Sequence, residues 1–212
     1  TYCAIAISGG IMRVFLLPLI IIFSLISFSS SYATNKKFIN TVNSSIISPI
    51  KLEVNLSEEM LYRAQNLPKK LSDRNGARLN SGFSGNGFYG DKELKKLISK
   101  LEVNIKNEFS KYDIKISDNA ETVLNVTLVD AIPNRPTFSQ LAKEPNLSHQ
   151  SFATGGAEIH AELLSPDGKV IGNLNYKNYE TDIKNSRYGS TWKDSKKAFY
   201  WFAVKSAKAL KQ

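Results

Sequence analysis

Hydrophobic and polar positions along this chain change period several times, and each change predicts an element. Lys51-Leu52-Glu53-Val54-Asn55-Leu56 alternates strictly, as a half-buried strand does, and Ser57-Glu58-Glu59 reads as the start of a short helix running to about Gln65. From Leu67 to Gly90 the pattern dissolves into Pro, Lys, Arg, Asn and Gly around Phe83, Phe88 and Tyr89, a long loop of the functional or mobile kind. Asp91 then reads as the cap of the clearest helix in the chain. Leu94, Leu97, Ile98, Leu101, Ile105 and Phe109 recur at intervals of three and four, with Lys95, Lys96, Lys100 and Lys106 outside the stripe. A short extended piece, Ile114-Lys115-Ile116, and a polar turn at Asp118-Asn119 lead into Thr122–Ile132. There Leu124, Val126 and Leu128 point one way and Asn125 and Thr127 the other, so a central strand is expected.

Ala157–Leu164 alternates in the same way, Ser165-Pro166-Asp167-Gly168 is a type I turn with Gly in the left-handed position, and Lys169 to about Asp182 returns as the hairpin partner. Thr191 and Asp194 resemble a capping box, followed by a second amphipathic stripe of Phe199, Phe202, Ala203, Ser206 and Leu210. This order predicts an α+β two-layer sandwich: a mainly antiparallel sheet with two long helices on one face. No internal repeat is visible.

The beginning of the chain sets the expected compartment. Met12-Arg13, the apolar run Val14 to Phe28 and the small residues Ser31 and Ala33 make up a secretory signal peptide cut after Ala33, with residues 1–11 read as leader. A membrane anchor is the alternative, but a spanning helix needs about 20 apolar residues and Arg13 interrupts any extension toward Ile7. The division is therefore leader and signal peptide at 1–33, a flexible Asn- and Ser-rich linker at 34–49, and a single α+β domain at 50–212. The one cysteine, Cys3, falls in the leader, which leaves the mature chain without a disulfide, a thiolate metal site, a cysteine nucleophile or a cysteine to accept lipid. Lys outnumbers Arg and Asn is abundant, which suits a bacterium with an AT-rich genome and a periplasmic product, so Asn125-Val126-Thr127 is not read as a glycosylation site.

A net charge of +9, one less once Arg13 is removed, favours anionic partners or serves only for solubility. Nucleic acid is disfavoured, because the surplus is Lys rather than the bidentate Arg and because an exported protein rarely meets DNA. An envelope protein or an anionic envelope component, such as lipid head groups, lipopolysaccharide or acidic glycan, is the expected partner, and a membrane surface stays open.

The candidate motifs are few. Gly85-x-Gly87-x-x-Gly90 has dinucleotide-binding spacing but follows polar Arg78-Leu79-Asn80-Ser81 instead of a buried strand, and Asp91 would place a carboxylate where phosphate belongs. These glycines are read as loop backbone that lets Phe88 and Tyr89 tuck under the helix, and no cofactor is expected. Gly82-Phe83-Ser84-Gly85 is one residue short of a G-x-S-x-G elbow. Glu158, His160 and Glu162 share one face of a strand and could bind a metal or move a proton, although a solvated face is the simpler reading and no metal is expected. The segment Ala131 to Gly156 is too long for a plain connection. Pro133 and Pro136 stiffen it so that Arg135 and Phe138 stand beside Gln150 as a partner-binding set, with a lid over the sheet as the alternative. Trp192, Tyr200 and Trp201 among Lys193, Lys196 and Lys197 suit either an interfacial contact or a core flanked by solvated lysines.

Asn134-Arg135-Pro136-Thr137-Phe138, Gly155-Gly156-Ala157, Tyr179-Glu180-x-Asp182-Ile183 and Thr191-Trp192-x-Asp194 together resemble a group of bacterial exported proteins without assigned activity, similar to small envelope lipoprotein domains. The resemblance runs from about Ile50 and implies a periplasmic or outer-membrane-associated place. The missing lipobox cysteine departs from the lipoproteins. The function expected is a non-enzymatic binding or assembly module of the periplasm; the alternative is a small periplasmic hydrolase or metal-dependent enzyme centred on Glu158, His160 and Glu162. N-terminal sequencing of the exported product is expected to begin at Thr34, and an intact Met12 on membrane-sedimenting protein would establish the anchor instead.

Overall fold

Among the described residues five strands form one mixed sheet, and the order in which they pair explains where the helices must lie. The computed structural model describes residues 36–43, 49–66, 87–145 and 147–211. The chain divides into Thr1–Tyr32 and Ala33–Gln212, and every described residue belongs to the second unit. The expected signal segment with its cleavage site, and Phe83, Ser84 and Gly85 of the first long loop, lie outside the described residues. The elements are β1 (Lys36–Asn40), β2 (Ile50–Leu56), α1 (Glu58–Gln65), α2 (Asp91–Lys111), β3 (Thr122–Ile132), α3 (Phe138–Lys143), β4 (Gly156–Leu164), β5 (Val170–Tyr179), a 3₁₀ turn (Ile183–Ser186) and α4 (Lys193–Lys211). The sheet runs β1-β5-β4-β3-β2. The pair β2/β3 is parallel and the other three are antiparallel, which is the mainly antiparallel sheet expected. A parallel pair requires a crossover between its strands, and α1 and α2 lie in it.

The long helices cover one face. Leu94, Leu97, Leu101, Ile105 and Phe109 of α2 and Phe199, Phe202, Ala203 and Leu210 of α4 are buried against Leu124, Val126, Leu128, Ile159, Leu163 and Leu174. Trp192 Nε1, just before α4, donates to Glu93 Oε2 in the first turn of α2 at 2.8 Å, and Lys211 at the end of α4 pairs with Asp113 just beyond α2 at 3.6 Å. The two helices therefore run in the same direction, and their N-termini meet at one end of the sheet. Among the described residues no helix is long and apolar enough to cross a membrane.

Three expectations change. The segment expected to be a flexible linker contains β1, which pairs with β5 so that Phe38 lies opposite Tyr176, their rings edge-on at 6.3 Å. The sheet therefore begins before Ile50; five residues with one inward ring carry too little period to reveal an edge strand. The cap of α2 is Gly90 (φ 81°), with Asp91 inside the first turn, where its charge complements the helix dipole. The alternation of β3 does not continue to its end. A bulge between Leu128 and Asp130 shifts the phase, so Ala131 is buried and Asp130 avoids the core.

Leu101 is fully enclosed at the middle of the α2 stripe. Leu101→Ala is expected to lower stability by about 2–5 kcal/mol through lost transfer energy and a cavity, as read by chemical denaturation.

Candidate functional site

The segment from Pro133 to Gly155 is a pinned platform, and its anchor is a buried hydrogen-bond hub. Asn134 is wholly buried; its backbone N–H donates to Thr191 O at 2.6 Å and its carbonyl accepts from Ala153 N at 2.9 Å. Its side-chain Nδ2 donates to the Asp194 carboxylate, to Ser186 Oγ and to Ala153 O, while its Oδ1 accepts from Asp194 N at 2.9 Å. Asp194 accepts further from Gly155 N at 3.1 Å and Ser186 Oγ at 3.3 Å. Asp194, expected to close a capping box with Thr191, is instead the buried partner of this loop. The loop also holds α3, started by a full capping box between Thr137 and Gln140. That Thr-x-x-Gln spacing was a legible sign of a helix start that the sequence reading did not use.

Gly87 and Gly90 from the dinucleotide-like motif take positive φ and dock this platform. Gln140 Nε2 donates to Gly87 O at 2.7 Å, and a Cβ on Gly90 would come within 2.3 Å of Ser139 Oγ. Tyr89 is buried edge-on against Trp192, with 5.4 Å between the ring centroids. Gly87 and Gly90 thus serve as loop and helix-cap backbone.

Arg135, Phe138 and Gln150 have separate fates. Arg135 is bound internally: its guanidinium donates to Gly189 O at 2.8 Å, His149 O at 3.1 Å, Gln150 O at 3.4 Å and Arg187 O, and it stands 5.9 Å from the centre of the Phe152 ring. It staples the loop instead of offering a free handle. Gln150 is exposed, and its backbone carbonyl accepts from Arg135 Nη1 at 3.4 Å. Phe138, the first residue of α3, is 78% exposed and meets the His149 ring edge-on at 5.9 Å.

Phe138 stands on the rim of a cleft of about 270 Å³ between the N-terminal turns of α2 and α4. Leu97, Leu141 and Trp192 supply apolar wall; Glu93, Lys96, His149 and Lys196 supply charge or polar rim. Burial works against the Glu93 carboxylate, but hydrogen bonds from Lys96 and Trp192 and the nearby Lys196 charge hold it below the usual carboxylate range. The arrangement can receive an apolar group on Phe138 and Trp192 while Lys96 and Lys196 meet an accompanying anion.

The strand set is arranged differently. Glu158, His160 and Glu162 lie on the face of β4 away from the helices. His160 Nε2 is 3.1 Å from Glu158 Oε1, and Lys177 Nζ is 3.0 Å from Glu158 Oε2. Glu162 lies further along, opposite Asn125 and Asn173. Burial opposes the Glu158 charge, yet Lys177 and His160 hold its carboxyl below the usual range. Among the described residues no set of three His, Cys, Asp or Glu side chains converges as metal ligands. The sequence reading missed an enclosed ion pair nearby. Asp130, freed from the core by the bulge, accepts from Arg63 Nη1 and from the Tyr179 hydroxyl, and Arg63 Nε reaches Glu59 at 3.2 Å. Burial raises the Asp130 carboxyl despite the opposing pull of Arg63, and burial beside Asp130 raises the Tyr179 hydroxyl. The available sign was an acid in core phase after Leu124, Val126 and Leu128.

No family model matches the chain, and no curated protein matches it in sequence. Among solved structures it is similar to the PelC dodecamer from Paraburkholderia phytofirmans, at 11% identity and a TM-score of 0.44, over 83% of this chain and 97% of that one. A variant of the same dodecamer gives 12% and 0.43 over the same shares. A minor lipoprotein from Acinetobacter baumannii gives 10% and 0.30, over 75% of this chain and 91% of the other.

Because Arg135 bonds four backbone carbonyls while Phe138 is largely in water, their truncations should part company. Arg135→Ala is expected to cost about 2–3 kcal/mol in thermal or chemical unfolding, and Phe138→Ala to stay within about 0.5 kcal/mol of wild type.

Proposed function

We propose that the domain is a non-enzymatic binding or assembly module of the bacterial envelope, and that its contact site is the cleft rimmed by Phe138. The observation that carries this reading is the combination of a 78% exposed phenyl ring with a platform pinned beneath it by Asn134, Asp194 and Arg135. Burying such a ring against a partner contributes about 1.5–3 kcal/mol, and a platform already ordered loses little conformational freedom on contact. The cations at the rim, Lys96 and Lys196, fit a partner that places a carboxylate or phosphate next to an apolar group. The signal-peptide pattern at Met12–Ala33 supports a periplasmic setting.

The rival reading, a hydrolase or metal-dependent enzyme on Glu158, His160 and Glu162, would need those groups to act together. Partner capture from envelope extract and calorimetric titration with zinc and manganese separate the two. Phe138→Ala is expected to weaken capture about tenfold, in keeping with the loss of one aromatic anchor, while His160→Ala leaves both capture and metal titration as in wild type. Stoichiometric metal binding abolished by His160→Ala, with capture by Phe138→Ala undiminished, would reverse the assignment.

A further inference from the structure

The outward face of the helix pair carries more positive charge than the cleft uses, sharing only Lys96 and Lys196 with it. In α4 the one acid, Asp194, is buried in the hub, so the exposed lysines of that helix meet acids only from other segments, Lys197 at Glu180 and Lys211 at Asp113. Across from α4, Lys92, Lys95, Lys96 and Lys100 of α2 line a shallow open groove with Val103 and Lys196. Lys96 pairs with Glu93, but among the described residues Lys92, Lys95, Lys100, Lys196 and Lys208 make no ion pair. On the same layer Val103 is 44%, Tyr200 43% and Trp201 37% exposed. Lysine heads on long apolar stems around an exposed indole and phenol are the chemistry of a bilayer interface, where the cations meet phosphates and the rings sit at headgroup depth.

From this we infer that the face formed by α2 and α4 docks on an anionic lipid surface, which is a second contact beyond the Phe138 cleft. Two observations favour a bilayer over a soluble polyanion. Lys92 to Lys100 spreads cations over about 12 Å of helix at 1.5 Å per residue, along an open groove with no enclosing wall, which matches a plane of phosphates. The Tyr200 and Trp201 rings meet at 65° with centroids 5.3 Å apart, so they form a wedge and not the flat platform on which sugar rings stack.

The test uses the whole chain with vesicles of phosphatidylcholine alone and with roughly one part in three phosphatidylglycerol. The Val14 to Phe28 run carries no charge and meets the same hydrocarbon in both kinds, so the reading is the ratio of the two partition coefficients. Each lysine near an anionic surface accounts for about a fivefold change. The ratio is expected to exceed about tenfold for wild type, to collapse in high salt, and to approach one for Lys100→Glu combined with Lys196→Glu and Lys208→Glu. Should that combination lower the unfolding temperature, Lys100→Gln alone, outside the cleft, is expected to reduce the ratio about fivefold. The chain has two tryptophans, and Trp192 is buried. Brominated lipid should therefore quench wild-type emission, with the quenching lost in Trp201→Phe. Equal partition into the two vesicle types, an unchanged ratio in the charge variants, absence of quenching, or binding of soluble dextran sulfate without vesicle partition would each overturn the inference. Phe138→Ala is expected to keep the wild-type ratio, so a failure here leaves the cleft reading untouched.

Discussion

The exchange of hydrogen bonds between Asn134 and Asp194 is the interaction on which the cleft end of the domain depends. A carboxylate withdrawn from water is tolerated only when its lone pairs are occupied, and Asp194 fills them with Asn134 Nδ2, Gly155 N and Ser186 Oγ. Each of those donors comes from a different part of the chain: the exit of β3, the approach to β4 and the 3₁₀ turn after β5. One buried group thus fixes three loops against the start of α4. Removing either partner would strand the other without water, a loss larger than that of one hydrogen bond, because the remaining members belong to the same network.

From that hub the character of the surface follows. Because the loop is held from below, Arg135 can be spent on four carbonyls and Phe138 can stand in solvent on the first turn of α3 without the turn collapsing. The parallel course of α2 and α4 brings Glu93 next to Trp192 and closes the cleft at their N-termini. The same course lays the lysines of both helices side by side on the outward layer. The opposite face of the sheet is a mixed field in which Glu158 is ion-paired with Lys177 and hydrogen-bonded with His160. The positive surplus of the chain is therefore concentrated on the helices, where apolar Val103, Tyr200 and Trp201 accompany it.

How much of this was readable from residues alone differs by element. The periodic segments were: Leu94 to Phe109 and Phe199 to Leu210 repeat over enough turns that only one face of a helix satisfies them, and Leu124-x-Val126-x-Leu128 allows only a strand with one side inward. Those local patterns determined the two-layer class, the hairpin at Ser165 to Gly168 and most of the core. What they could not contain is any relation between distant residues. β1 is a strand because β5 offers it an edge; Asp194 is a hub because Asn134 lies sixty residues away in sequence and in contact in space; Arg135 is a staple because Gly189 and Arg187 turn their carbonyls toward it. Asp130 left the core stripe because a bulge in the pairing with β4 changed the phase of its strand. Period records which way a side chain faces, and so the sequence by itself determined the layers and their inner faces. Hydrogen-bond partners are chosen by the approach of separate segments, so the pinned loop, the cleft it roofs and the gathering of lysines on one surface were decided only by the tertiary structure.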